Sequence, residues 1–163
     1  VYSDNPQDFL NSVNHELCGR MNAGFVTGLA GHFGARQKNG SRKLVLSHAG
    51  HRQVLVYRKA KKKCEVIELP GGTVMGIPGC NASKPKAIEM HIGDRFYAFT
   101  DGIYEASDPD GEEFGMTQLI KCFEKHSEMS IDECLKVINE TVAKHTESDS
   151  QQDDITLLGF ELS

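Results

Sequence analysis

The segment Arg95-Phe96-Tyr97-Ala98-Phe99-Thr100-Asp101-Gly102 constrains this chain more than any other. Phe96, Ala98 and Thr100 alternate with Tyr97 and Phe99, so neither face of an extended strand would be solvated. That pattern predicts a strand inside a packed sheet, with Asp101 emerging at the rim. A carboxylate fixed at the end of a rigid strand can hold a metal ion or accept a substrate proton. Asp-Gly after a strand is more often the composition of a plain turn. The meaning of Asp101 therefore depends on what else reaches it.

Upstream, Asp4-Asn5-Pro6 is a helix-start signal, a capping side chain followed by proline at the first helical position. Phe9, Leu10, Val13, Leu17 and Met21 recur at helical spacing, with Gly24 as the expected stop. Phe25 to Ala35 alternates instead, and Gly28, Gly31 and Gly34 within it suggest close approach of another backbone. Asn39-Gly40 predicts a type I′ hairpin returning through Leu44 to Ala49. Gln53 to Arg58 and Cys64 to Leu69 read as two more strands. Ala87 to His91 and Arg95 to Thr100 read as a last hairpin about Gly93-Asp94.

Beyond Gly102 the periodicity becomes helical. Met116 to Lys125 begins one helix, and Ser130-Ile131-Asp132-Glu133 is a capping box opening another. The second helix carries an apolar stripe of Ile131, Cys134, Leu135, Ile138 and Val142. A polar linker over 147–152 leads to a closing strand, Ile155 to Leu162. Strands in a run followed by helices predict an α+β layered domain, not a doubly wound one. With 163 residues, no repeat and no boundary signal, a single domain spanning 1–163 is expected.

The net charge of −5 argues against a general nucleic-acid binder. The basic run Arg58-Lys59-Ala60-Lys61-Lys62-Lys63 then reads as a solvated hairpin tip. No apolar run approaches the length of a membrane span. Five widely spaced cysteines without a C-x-x-C pair fit free thiols in a reducing cytoplasm. Neither a phosphate-binding glycine loop nor a G-x-S-x-G elbow is present.

Two carboxylate clusters lie at predicted strand edges, Asp101 and Asp153-Asp154. If the closing strand pairs antiparallel beside the Arg95–Thr100 strand, both clusters reach one rim. Aspartates converging without His or Cys form a hard, all-oxygen site suited to Mg²⁺ or Mn²⁺. A solvated acidic linker is the alternative, since Glu147 and Asp149 share the segment with Asp153 and Asp154. His48 and His51 flank a turn. Zinc binding or acid–base chemistry would need a matching His/Cys pair that the sequence does not offer, which favours a structural role.

The motifs Ser47-His48-Ala49-Gly50-His51, Met75-Gly76-Ile77, Ile92-Gly93-Asp94-Arg95, Tyr97 to Ala106, Phe114-Gly115 and Asp153-Asp154-Ile155-Thr156-Leu157-Leu158 follow in one order. That series resembles the SpoIIE/RsbU branch of the PPM (protein phosphatase 2C-like) metal-dependent serine/threonine phosphatases, from the first helix to the last strand. The resemblance implies a β-sandwich of antiparallel sheets flanked by helices, with a two-metal Mg²⁺/Mn²⁺ site. Asp101 and Asp153 would then be metal and catalytic aspartates, and Asp154 a neighbouring ligand. Gly102 and Glu105 would support the site, and His51 would shape a loop. The implied substrate is a phosphorylated regulator of the anti-anti-sigma type.

One motif of that family, a further metal aspartate followed by G-H-G or G-K-G, has no match in the chain. The expectation is therefore the C-terminal part of such a domain, without its N-terminal strands and bridging ligand, which alone would bind metal weakly and turn over slowly or not at all. A non-catalytic interaction or dimerisation module on the same scaffold is the alternative.

Overall fold

The computed structural model describes residues 5–21, 24–146 and 154–163. The chain divides into two units, with the boundaries falling at 53/54, 66/67 and 92/93.

In the first unit, helix α1 (Pro6–Leu17) begins at Asn5, whose side chain accepts a hydrogen bond from the Gln7 amide. The helix stops at Leu17, short of the expected Gly24. It buries Pro6, Leu10 and Asn14, one residue per turn, while Phe9 points to solvent. Asn14 occupies a core position because it is satisfied there. Its Nδ2 donates to the Cys80 carbonyl at 2.9 Å, and its Oδ1 accepts from the Gly76 amide at 2.7 Å. A buried amide that pairs this fully pins the Gly/Pro-rich connection against the helix.

Strands β1 (Gly28–Phe33), β2 (Arg42–Ala49) and β5 (Lys86–Met90) form an antiparallel sheet with β2 in the middle. The expected close approach at the β1 glycines is present. A Cβ on Gly31 would lie 3.0 Å from the Val45 carbonyl oxygen. The turn between β1 and β2 differs from the predicted type I′, which needs a positive φ at both central residues. The Gly40 amide instead bonds the Gln37 carbonyl, and of Asn39 and Gly40 only Gly40, at φ 81°, is left-handed. The Asn39 side chain accepts from the Ser41 amide and hydroxyl, which satisfies this tighter turn. Leu10, Ala49, Met75 and Ala82 make the core under α1.

The second sheet has the order β4 (Lys63–Glu68), β3 (Gln53–Arg58), β6 (Arg95–Phe99), β7 (Leu157–Glu161). β6 pairs antiparallel with β3 on one side and β7 on the other, the central position its two apolar faces predict. The expected β5–β6 hairpin does not form. β5 belongs to the first sheet and β6 to the second, with Gly93 in the connection donating its amide to the Leu162 carbonyl. The basic run is the β3–β4 tip, as expected. Its cations face acids: Arg58 and Lys61 bond Glu65, and Lys63 bonds Glu124.

Helices α2 (Met116–Lys125) and α3 (Ile131–Thr146) supply Leu119, Phe123, Cys134, Ile138 and Val142 to a core shared with Leu55, Tyr57, Tyr97 and Phe99. Tyr97 stacks on Phe123 with ring centroids 3.9 Å apart. The predicted capping box is complete: the Ser130 hydroxyl accepts from the Glu133 amide, and the Glu133 carboxylate accepts from the Ser130 amide. All five cysteines are free thiols. No helix among the described residues is long and apolar enough to cross a membrane. The architecture is thus the α+β one expected, with antiparallel sheets and helices packed on them.

Candidate functional site

β6 ends at Phe99, and the chain turns at once into a single 3₁₀ turn, Asp101–Ile103. The Asp101 carbonyl accepts from the Tyr104 and Glu105 amides, both at 3.0 Å. Ile103 is fully buried, and Tyr104 meets Phe99 edge-on at 6.1 Å. Buried anchors on either side of the turn hold the exposed Asp101 carboxylate on a rigid support. Gly102 is buried within the turn, and Glu105 is exposed just past it.

The partner segment arrives through the predicted antiparallel pairing. The β6–β7 register runs from Arg95↔Glu161 to Phe99↔Leu157. Beyond it, the Thr100 amide donates to the Thr156 carbonyl at 3.0 Å. The Thr100 hydroxyl accepts from the Thr156 amide at 2.8 Å and donates to the Asp154 carbonyl at 2.9 Å. Asp101 and Asp154 therefore leave adjacent strands at the same end, and both are exposed. Asp153 lies outside the described residues.

The donor set that the described residues offer here is carboxylate oxygen, without thiolate or imidazole. Two exposed carboxylates on neighbouring strand ends fit Mg²⁺ or Mn²⁺, ions that keep several waters and take one or two protein carboxylates. Among the described residues, no three His, Cys, Asp or Glu side chains gather as a metal-holding group. His51 stands half-buried in the first unit, just after Gly50.

Its neighbour His48 was expected to be a structural turn residue and is more deeply placed than that. It is fully buried at the end of β2, and neither ring nitrogen has a hydrogen-bond partner among the described residues. The surrounding backbone is zipped to Ser83. The His48 amide donates to Ser83 Oγ at 2.9 Å, and the Ser83 amide returns to the His48 carbonyl at 2.8 Å.

Burial holds the His48 pKa below its ordinary 6.5, and the charges of His51 and Arg52 push it the same way. The Leu69 and Gly71 backbone opposes the shift, but neither reaches hydrogen-bonding geometry with the ring. His48 thus contributes full stability above pH 6.5. As the pH falls below that value the unfolded chain takes up a proton that the folded chain resists, and stability is lost. Urea midpoints should fall between about pH 7.5 and about pH 5.5, and His48→Gln should flatten that dependence.

Two residues, at opposite ends of β6, escaped the sequence reading. Thr100 looked like one more strand position, and its place before Asp-Gly was the only signal of another role. Asp94 looked like a turn residue, yet it is buried and accepts from Arg58 Nη1 at 2.9 Å and from the Lys59 amide at 3.1 Å.

The fold is that of the PP2C-like phosphatase domains. It is similar to the SiaA-PP2C domain of Pseudomonas aeruginosa (22% identity, TM-score 0.65), covering 99% of this chain and 61% of that one. It is also similar to the RsbU and RsbW domains of a Mycobacterium tuberculosis protein (20% identity, TM-score 0.77), covering 98% of this chain and 42% of that one. For the phosphatase domain of the cell fate determinant SpoIIE from Bacillus subtilis the identity is 14% and the TM-score 0.53, over 83% of this chain and 56% of that one. The chain thus spans less than two thirds of each of these three. Comparison with curated proteins gives no match. The family described as Stage II sporulation protein E (SpoIIE) matches residues 2–163, and the chain belongs to it.

Proposed function

We propose that this chain acts in the metal-dependent hydrolysis of phosphoserine or phosphothreonine, with Asp101, Asp153 and Asp154 as the carboxylates that hold Mg²⁺ or Mn²⁺. The observation that carries this reading is the β6–β7 pairing, which delivers Asp101 and Asp154 to one strand end from positions more than fifty residues apart in sequence. The family membership makes phosphate ester chemistry the natural use of such a pair.

A bound divalent cation would lower the pKa of a water and neutralise charge on the phosphoryl group. The chain's own part is to hold and orient. Asp101 supplies a carboxylate from a turn braced by Ile103 and Tyr104. Glu105, whose amide closes that turn, is a supporting acid beside it. Gly102, buried within that turn, supports the site, and His51 shapes the β2–β3 loop. The substrate is proposed to be a phosphorylated cytoplasmic regulator of the anti-anti-sigma type.

The test is phosphate release from a phosphoserine protein by the purified chain, with and without Mn²⁺, alongside calorimetric titration of Mn²⁺ alone. Slow release that needs Mn²⁺ and stops with chelator is expected, since one metal aspartate of that family has no match in the chain. Neither release nor Mn²⁺ binding would favour the second reading, an interaction module that does not turn over. Exposed Phe25, Val26 and Ile77 support that alternative, because the Val26–Met75 bridge brings their segments together as an apolar surface. Self-association detected by light scattering, and lost on Phe25→Ser, would strengthen it.

A further inference from the structure

We propose that Thr100 is a positioning residue for the metal-binding carboxylates, acting through a side-chain latch between the β6 end and the segment entering β7. The proposal rests on the metal-dependent reading above and deepens it.

A threonine at the start of a helical turn ordinarily turns its hydroxyl back to cap the amides of that turn. Thr100 occupies that position, with extended backbone angles of φ −78° and ψ 156°, yet its side chain makes no capping bond. The hydroxyl reaches across to the neighbouring strand. It accepts from the Thr156 amide at 2.8 Å and spends its single proton on the Asp154 carbonyl at 2.9 Å.

The backbone explains why the side chain is needed. In a continued antiparallel ladder, Thr100 and Thr156 would exchange both amide–carbonyl bonds. Only one is made, from the Thr100 amide to the Thr156 carbonyl at 3.0 Å. The Thr100 carbonyl is diverted into the 3₁₀ turn, where it accepts from the Ile103 amide at 3.2 Å. That diversion lets the chain leave the sheet and present Asp101. It would also strand the Thr156 amide, and the hydroxyl replaces the lost carbonyl.

One side chain therefore reconciles two demands. β6 must break off into a turn at Asp101, and β7 must stay registered up to Asp154. The spacing between the two carboxylate-bearing residues is set by three hydrogen bonds that converge on Thr100. Valine has the same shape and can make only the backbone one, while serine keeps the hydroxyl.

The experiment measures Mn²⁺ affinity by calorimetry, with the Mn²⁺ electron paramagnetic resonance signal as a second readout. It compares the protein with Thr100→Val, Thr100→Ser and Asp101→Asn, each checked for folding by circular dichroism. Thr100→Val should weaken Mn²⁺ binding by about ten-fold or more, the scale on which partners of metal ligands act, and Thr100→Ser should restore most of it. Thr100→Val binding as tightly as the unaltered protein overturns the latch, and so does Thr100→Ser binding as weakly as Thr100→Val.

Should Thr100→Val fail to fold, amide exchange in the unaltered protein decides. A Thr156 amide protected from exchange supports the latch, and one exchanging at the rate of a solvated amide overturns it. Failure of the underlying metal reading looks different: Asp101→Asn would then bind Mn²⁺ as well as the unaltered protein, or neither would bind.

Discussion

Asp101→Asn is expected to reduce Mn²⁺-dependent phosphate release by about 100-fold or more while leaving the fold intact. The magnitude follows from what the substitution removes. Even residues that only orient a metal ligand cost about 10–100-fold in affinity or activity when lost, so a charged ligand stands at the upper end. Asparagine matches aspartate in size and keeps one oxygen, but it gives up the charge that balances the cation.

The structural role of the position survives the change. The 3₁₀ turn is closed by the Asp101 backbone carbonyl, and the side chain is exposed. Unfolding midpoints should therefore move little, as for other exposed substitutions. Calorimetry with Mn²⁺ separates the causes, since weakened activity must track weakened binding. Glu105→Gln, one turn further on, should have a much smaller effect on both. Unchanged activity in Asp101→Asn would remove Asp101 from the site.

The feature that could be read from sequence most directly was β6, because a strand apolar on both faces has few places to go. Its central position follows from that pattern, and the antiparallel β7, which the sequence offered only as a condition, brings Asp154 to the same strand end as Asp101. The capping box at Ser130 was equally legible, since its bonds are local and its residues lie three apart.

What was not legible depends on partners distant in sequence. Alternation on both sides of Gly93-Asp94 looks the same whether two strands pair or part into different sheets. β5 parts from β6 because its own partner is β2. The buried place of Asn14 in α1 is such a case, since it depends on the Cys80 carbonyl and the Gly76 amide, both more than sixty residues away. Thr100 was invisible for a related reason. Its hydroxyl matters only because a carbonyl has been diverted from the ladder, and no local pattern records that.

Asp94→Ala is expected to damage stability more than any other substitution named above, at about 3 kcal/mol, the scale of breaking a buried charge pair. Asp94 is only 2% exposed and stands at the start of β6, the end opposite Asp101. Its carboxylate accepts from Arg58 Nη1 and from the Lys59 amide, which fastens the end of β3 to β6. Its backbone carbonyl accepts from the Leu162 amide at 3.0 Å, which fastens β7 on the other side. Alanine keeps the second bond and deletes the first pair, removing the Asp94 salt bridge from a partly buried guanidinium that also pairs with Glu65.

A loss of that size is a large fraction of the 5–15 kcal/mol typical of a domain. Asp94→Asn should cost less, because its amide oxygen can still accept from Lys59. Adding Arg58→Met to Asp94→Ala should recover part of the loss, since the charge that lost a buried partner is then gone. Urea denaturation at constant slope measures all three. Because Asp94 lies at the far end of the strand, the folded fraction of Asp94→Ala should bind Mn²⁺ as the unaltered protein does. Stability and metal affinity would then be controlled from opposite ends of β6. An Asp94→Ala protein as stable as the unaltered one would show that the buried pair does not hold the sheet together.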